Sequence, residues 1–199
     1  MYPSREEAER ILLDAKARYD KVSAIHGRWD DHSRTAARCA EKIAAHCPGL
    51  DPDKAYVLGL LHDIGRWYGD GHLCHVYYGW KYMTELGWDD AARICLTHSF
   101  QVQRLGAYIG NYDIPPAAVA ELDAALAAVT YDDYDRLIQL CDTLAGPDGP
   151  VDMAARMEDV RRRYGDYPQD KWDKNFELRR YFERWGGADI YEMVGEMVR

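Results

Sequence analysis

The stretch Asp51-Pro52-Asp53-Lys54-Ala55-Tyr56-Val57-Leu58-Gly59-Leu60-Leu61-His62-Asp63-Ile64-Gly65-Arg66 decides how this chain is read. Asp51 is a good helix N-cap, and Pro52 suits the first helical position, where its missing N–H would be unpaired in any case. Ala55, Leu58, Leu61 and His62 then recur at helical spacing, and Gly65 marks the stop. The stretch is a capped apolar helix whose inner face ends on a histidine, followed at once by an aspartate. Ionisable groups at the buried end of a helix need partners.

Working upstream, His32, Ala36, Cys39, Ala40 and Ile43 fall on one stripe, with Asp30 or Asp31 as the expected cap and Pro48-Gly49 as the stop. Before it, Ser4-Arg5-Glu6-Glu7 has capping-box spacing and Ala8, Ile11, Leu12, Ala15 and Tyr19 continue as a helix. Downstream, His75, Tyr78, Gly79, Tyr82 and Leu86 repeat with helical period up to Gly87. Asp89 or Asp90 is the expected cap of a segment that carries Ala91, Ile94, Cys95 and His98 on one face. An Ala-rich helix follows from about 116 to 129, then a helix with Leu137, Ile138, Cys141 and Leu144, late in which Asp142 lies. From 151 to 199 the pattern predicts two or three shorter helices, broken near Gly165 and near Gly186-Gly187. No sustained period-2 alternation and no repeat occurs, so the expected fold is all-α, a bundle of roughly eight helices in a single domain over 1–199.

Composition sets the outer bounds. With 47% hydrophobic and 30% charged residues, the 199-residue chain has the makings of a folded core. A net charge of −9 argues against long nucleic acid as a partner, since that is held mainly by basic patches. No apolar run approaches a membrane span and the first twenty residues lack an export signal's charge and apolar pattern, so the expected location is cytoplasmic and off the membrane. The five cysteines are odd in number, unpaired in spacing and set among apolar neighbours, which reads as reduced core thiols.

Four histidines (His32, His62, His75, His98) and two aspartates (Asp63, Asp142) take inward positions on five different helices. One histidine on an apolar face is usually a hydrogen-bonded core residue, and a His-Asp dipeptide alone means little. Six such groups together point to shared cations, because imidazole nitrogens and carboxylate oxygens satisfy a cation jointly and a carboxylate flanked by imidazoles can bridge two.

The order of these residues resembles the HD superfamily of metal-dependent phosphohydrolases, in its HDIG-type branch, over about residues 28–146. The matching pieces are His32, then His62-Asp63 in LLHDIGR, His75 in HVYYG, His98 in ICLTH and Asp142 in LIQLCDTL. The resemblance implies one metal at His32, His62, Asp63 and Asp142. It implies a second, bridged by Asp63, at His75 and His98, as in dinuclear members; the metals would be divalent Fe, Mn, Co, Ni or Mg. His72 competes with His75 for this role, and the His-x-x-x-Gly spacing to Gly79 favours His75.

The implied activity is hydrolysis of a phosphate ester or anhydride of a small molecule, with a nucleotide as the favoured substrate. Metal-activated hydroxide would be the nucleophile beside Asp63, and Arg66 the cation that offsets phosphoryl charge. Arg28 and Lys81 are weaker choices for that cation. Trp67, Tyr68, Tyr77, Tyr78 and Trp80 offer stacking faces for a base, although core packing accounts for them more plainly. The His-His-Glu and Gly-Tyr-Pro segments of cyclic-dinucleotide phosphodiesterases are missing, as is the Glu-Asp pair of stringent-response enzymes. The symmetric dinucleoside tetraphosphatases share the ligand order but have a longer loop after the His-Asp pair. Two other functions share the ligand pattern: a mixed-valent diiron oxygenase of the same fold, and a non-catalytic ligand-binding module. His26 and His46 fall outside the pattern, and Asp132, Asp133 and Asp135 read as cap and surface charges. The segment from 151 on carries no motif, leaving three uses open: capping the site, forming a homodimer surface, or completing the core.

Overall fold

The computed structural model describes residues 1–195, so the last four residues of the expected C-terminal segment lie outside the described residues. Among the described residues there are ten α-helices, two 3-10 turns and no strand, two helices more than the periodicity predicts. They are α1 (Arg5–Val22), α2 (Trp29–His46), α3 (Pro52–Leu61), α4 (Leu73–Glu85), α5 (Asp89–Thr97), α6 (Pro116–Ala128), α7 (Asp133–Leu144), α8 (Met153–Tyr164), α9 (Gln169–Gly186) and α10 (Ile190–Val194). The 3-10 turns span Ile64–Tyr68 and Leu105–Ala107. None of the described helices is long and apolar enough to cross a membrane.

The expected stops and several caps form as the residues dictate. Asp51 accepts from the N–H groups of Asp53 and Lys54, and Asp132 and Asp135 close a reciprocal capping box on α7. Two caps differ. Arg28 and Trp88 occupy the N-cap positions of α2 and α5, while Asp30, Asp31, Asp89 and Asp90 sit in the first turns. There they complement the positive end of the helix dipole instead of capping it. Asp135 is also not the surface charge expected: it is fully buried and accepts the Thr97 hydroxyl at 2.6 Å.

The main core draws Leu12 from α1, Ile43 from α2, Leu58 and Leu61 from α3 and Ile138 from α7. Met157, Leu178, Phe182 and Ile190 join this same core, so the helices after residue 150 pack into it directly. A second cluster of Leu73, Val76, Phe100, Leu122 and Leu126 seats α6 against α4.

Two glycines let backbones approach where side chains would collide. A Cβ on Gly59 would meet the Ala37 backbone at 2.8 Å, which is how α2 and α3 come together beneath His32 and His62. A Cβ on Gly65 would overlap the carbonyl of His75 and the backbone of Gly79, so the turn after Asp63 rests directly on α4.

Candidate metal centre

His62 is the C-cap of α3 and Asp63 opens the 3-10 turn, so the helix end projects the pair together. His32 comes from the first turn of α2, His75 from the first turn of α4, His98 from the C-cap of α5 and Asp142 from the last turn of α7. All six side chains converge. Asp142 Oδ1 lies 3.0 Å from His32 Nε2 and 3.7 Å from His62 Nε2. Asp63 Oδ2 is 3.9 Å from His62 Nε2, while its Oδ1 is 3.2 Å from His75 Nε2 and 3.5 Å from His98 Nε2. His75 Nε2 and His98 Nε2 are 3.2 Å apart.

Every imidazole is held by its other nitrogen. Nδ1 faces the Ala145 carbonyl in His32 (3.1 Å), the Gly59 carbonyl in His62 (2.7 Å), the His72 carbonyl in His75, and the Cys95 carbonyl in His98 (3.0 Å). A carbonyl only accepts, so each Nδ1 carries a proton, and the neutral form of each ring turns an Nε2 lone pair inward. This is the way metal-ligating histidines are oriented. His62 Nε2 is buried with no hydrogen-bond partner, and the His75 and His98 lone pairs face one another beside a carboxylate. A cation resolves both conflicts. Two groups are close enough to hold one: His32, His62 and Asp63, and Asp63, His75 and His98.

The electrostatics agree. Burial works against a charge on Asp63, yet Arg66, His75 and His62 hold its carboxyl well below the usual carboxylate range. Asp142 is held low in the same way, against burial, by His32 and His62. Burial and the nearby Arg66 push His75 down to about 3, which leaves it a neutral donor. His62 behaves differently: burial opposes its charge, but Asp63 and Asp142 raise it above the ordinary imidazole value.

His72, the alternative to His75, supplies its backbone carbonyl to His75 Nδ1 and turns its ring edge-on to Tyr164. Arg66 contacts Asp63 through Nε at 2.5 Å and faces two cavities that open on the centre. Arg28 is tied to Asp31 and Asp148, and Lys81 pairs with Glu121 on the outer surface. The aromatic group follows the plainer core reading: Tyr68 stacks on Tyr78 at 4.0 Å, Trp67, Tyr77, Tyr78 and Trp80 pack against the core clusters, and none of the five lines either cavity.

The cavity on the His32 side, about 340 Å³, is walled by Tyr19, Trp29 and Asp70. Asp70 there accepts the Tyr19 hydroxyl at 2.5 Å and the Ser23 hydroxyl at 2.8 Å. The cavity on the His75 side, about 170 Å³, is walled by Tyr108 and by Arg156, Tyr164, Tyr167 and Lys171. Sequence reasoning missed these last five. Met153 and Met157 are buried on α8, but a helical pattern says nothing of which neighbour Arg156 faces.

The HD domain model matches residues 29–146, and the chain belongs to the HD domain family. Domains of this family bind divalent metals, and the buried His/Asp groups here can hold one. No curated protein and no solved structure matches the chain.

Proposed function

We propose that this protein is a metal-dependent phosphohydrolase acting on a phosphate ester or anhydride of a small molecule. The observation that carries the reading is the inward convergence of four carbonyl-anchored imidazoles on two carboxylates, a mixed nitrogen and oxygen donor set that fits first-row divalent cations beside a polar cavity. His32, His62, Asp63 and Asp142 form one set of ligands, and His75 and His98 share Asp63 in a second. Divalent metal bound there supplies a water of lowered pKa and polarises phosphoryl oxygens. Hydrolysis adds the water oxygen to phosphorus, breaks the bond to the leaving oxygen and returns a proton to it.

Arg66 is the group placed to offset charge on the phosphoryl oxygens, since its guanidinium reaches both cavities while Nε stays on Asp63. The Nδ1 contacts fix the imidazole planes, so the site is organised before substrate arrives.

The test is phosphate release from a panel of phosphate esters and anhydrides, with Mn, Co, Ni, Fe and Mg each supplied. Metal-dependent release is expected, and Asp63→Asn should remove more than the roughly 10–100-fold typical of losing a residue that only orients a ligand. Absence of metal-dependent release across the panel overturns the reading. Substrate-dependent oxygen uptake by the iron-loaded protein would then mark an oxygenase, and retention of biological activity by a His62→Ala, Asp63→Ala double variant a binding module.

A further inference from the structure

The smaller cavity holds more positive charge than one phosphoryl group requires. Of its cations, Arg66 is engaged with Asp63, and Arg163 is paired with Asp159 at 3.0 Å. Arg156 is half-buried and faces both cavities, and among the described residues its guanidinium has neither an ion pair nor a hydrogen bond. Lys171 is only 6% exposed. Its Nζ donates to the carbonyls of Ser99 (2.8 Å) and Ala107 (3.3 Å), which leaves its third N–H without an acceptor. A buried ammonium with a spare N–H, beside an unpaired guanidinium on the same cavity, is ready to receive an anion. Among the described residues the one acid lining that cavity, Asp142, is already committed to His32 and His62.

The shape narrows the class of ligand. At about 170 Å³ this cavity is smaller than the roughly 300–1,000 Å³ of drug-sized ligand sites. The side chains lining the cavity with Arg156 and Lys171 include the polar Ser99, Gln101 and Thr143 and the tyrosines Tyr108, Tyr164 and Tyr167. A compact, polar leaving portion fits such a lining better than an apolar one.

We propose that Arg156 and Lys171, brought in by α8 and α9, form a second anion subsite. It takes an anionic group, a carboxylate or a second phosphate, on the leaving portion of a small phosphate substrate whose scissile phosphoryl lies at the His/Asp centre. This rests on the phosphohydrolase reading and gives the helices after residue 150 their role.

The experiment is calorimetric titration of the metal-loaded protein with non-hydrolysable probes: ethylphosphonate, 3-phosphonopropionate, which adds a distal carboxylate, and propane-1,3-diphosphonate, which adds a distal phosphonate. At least one doubly anionic probe should bind about tenfold or more tightly than ethylphosphonate, and which one does identifies the distal group. Arg156→Gln should erase that advantage while leaving ethylphosphonate within about twofold, and Arg156→Lys should restore part of it. Lys171→Gln should act in the same direction, and Arg156→Gln carries the test alone if the Lys171 variant fails to fold. Equal affinity for all three probes overturns the inference, as does equal weakening of all three by Arg156→Gln. Because these are binding measurements, they stand apart from phosphate release. Release without probe discrimination sinks the subsite alone, and discrimination without release overturns the hydrolase reading, and the leaving-portion role with it, while the anion site at Arg156 and Lys171 stands.

Discussion

Lys171 spans from α9 to the carbonyls of Ser99 and Ala107, and its ammonium is held where water scarcely reaches. Burial pushes its pKa down to about 8, against the pull of Asp142 and Asp170 in the other direction. Below that value the amine is protonated in both the folded and the unfolded chain, so the full cost of burying the charge is present. Above it the folded protein sheds the proton while the unfolded chain holds it to about pH 10.4, so this group's contribution to stability rises with pH across that window. Measured by urea unfolding, the wild type should therefore gain on Lys171→Met between pH 7.5 and 10.5, by up to roughly 3 kcal/mol. A difference that stays flat over that range would mean that the lysine is not desolvated as described. Neither Lys171 nor Arg156 is marked in the sequence, where Arg156 resembles the solvated Arg161, Arg162 and Arg163 a turn and more further on.

At the scale of elements, the contact between the Ile64–Tyr68 turn and α4 fixes the spacing of Asp63 and His75. Gly65 lies under the His75 carbonyl and the Gly79 backbone, so any side chain there must push α4 away and take His75 with it. Gly65→Ala should cost about 1–3 kcal/mol of stability, the usual range for overpacking. Bound metal per chain should also fall below the wild-type ratio, because His75 leaves Asp63 while His32 and His62 keep their places. Full metal content in a destabilised variant would show instead that α4 gives way without moving its histidine.

The sequence makes this junction legible in outline, since a capped apolar helix, a His-Asp pair and a glycine stop are all local signals. Inward histidines follow from the 3.6-residue period of their own helices, without knowledge of neighbours. What escapes is whatever depends on two elements meeting. The first-turn aspartates of α2 and α5 look like caps until the entering chain puts Arg28 and Trp88 there. Asp135 looks solvated until Thr97 of α5 covers it. Part of the smaller cavity's wall comes from α8 and α9, whose amphipathic pattern predicts helices but not what their polar edges face.

Across the whole molecule, the candidate ligands come from α2, the end of α3, α4, the end of α5 and α7, and an unfolded chain cannot bring these together. Metal should therefore bind the folded state far better than the unfolded one and stabilise it by mass action, about 2.7 kcal/mol at a hundredfold excess over Kd. For a chain of this length that corresponds to a melting temperature higher by roughly 5–10 °C with metal than after chelation. We further read the chain as one folding unit, since Met157, Leu178, Phe182 and Ile190 share a core with Leu12, Leu58 and Ile138. On that basis calorimetry should give a single transition, and chelator should shift all of it, including the part contributed by α8 to α10. A second transition indifferent to metal would separate the C-terminal helices from the unit that holds the centre. It would also remove the structural basis for placing Arg156 and Lys171 beside it, because side chains on an independently melting segment could not keep a fixed register against Arg66 and His75.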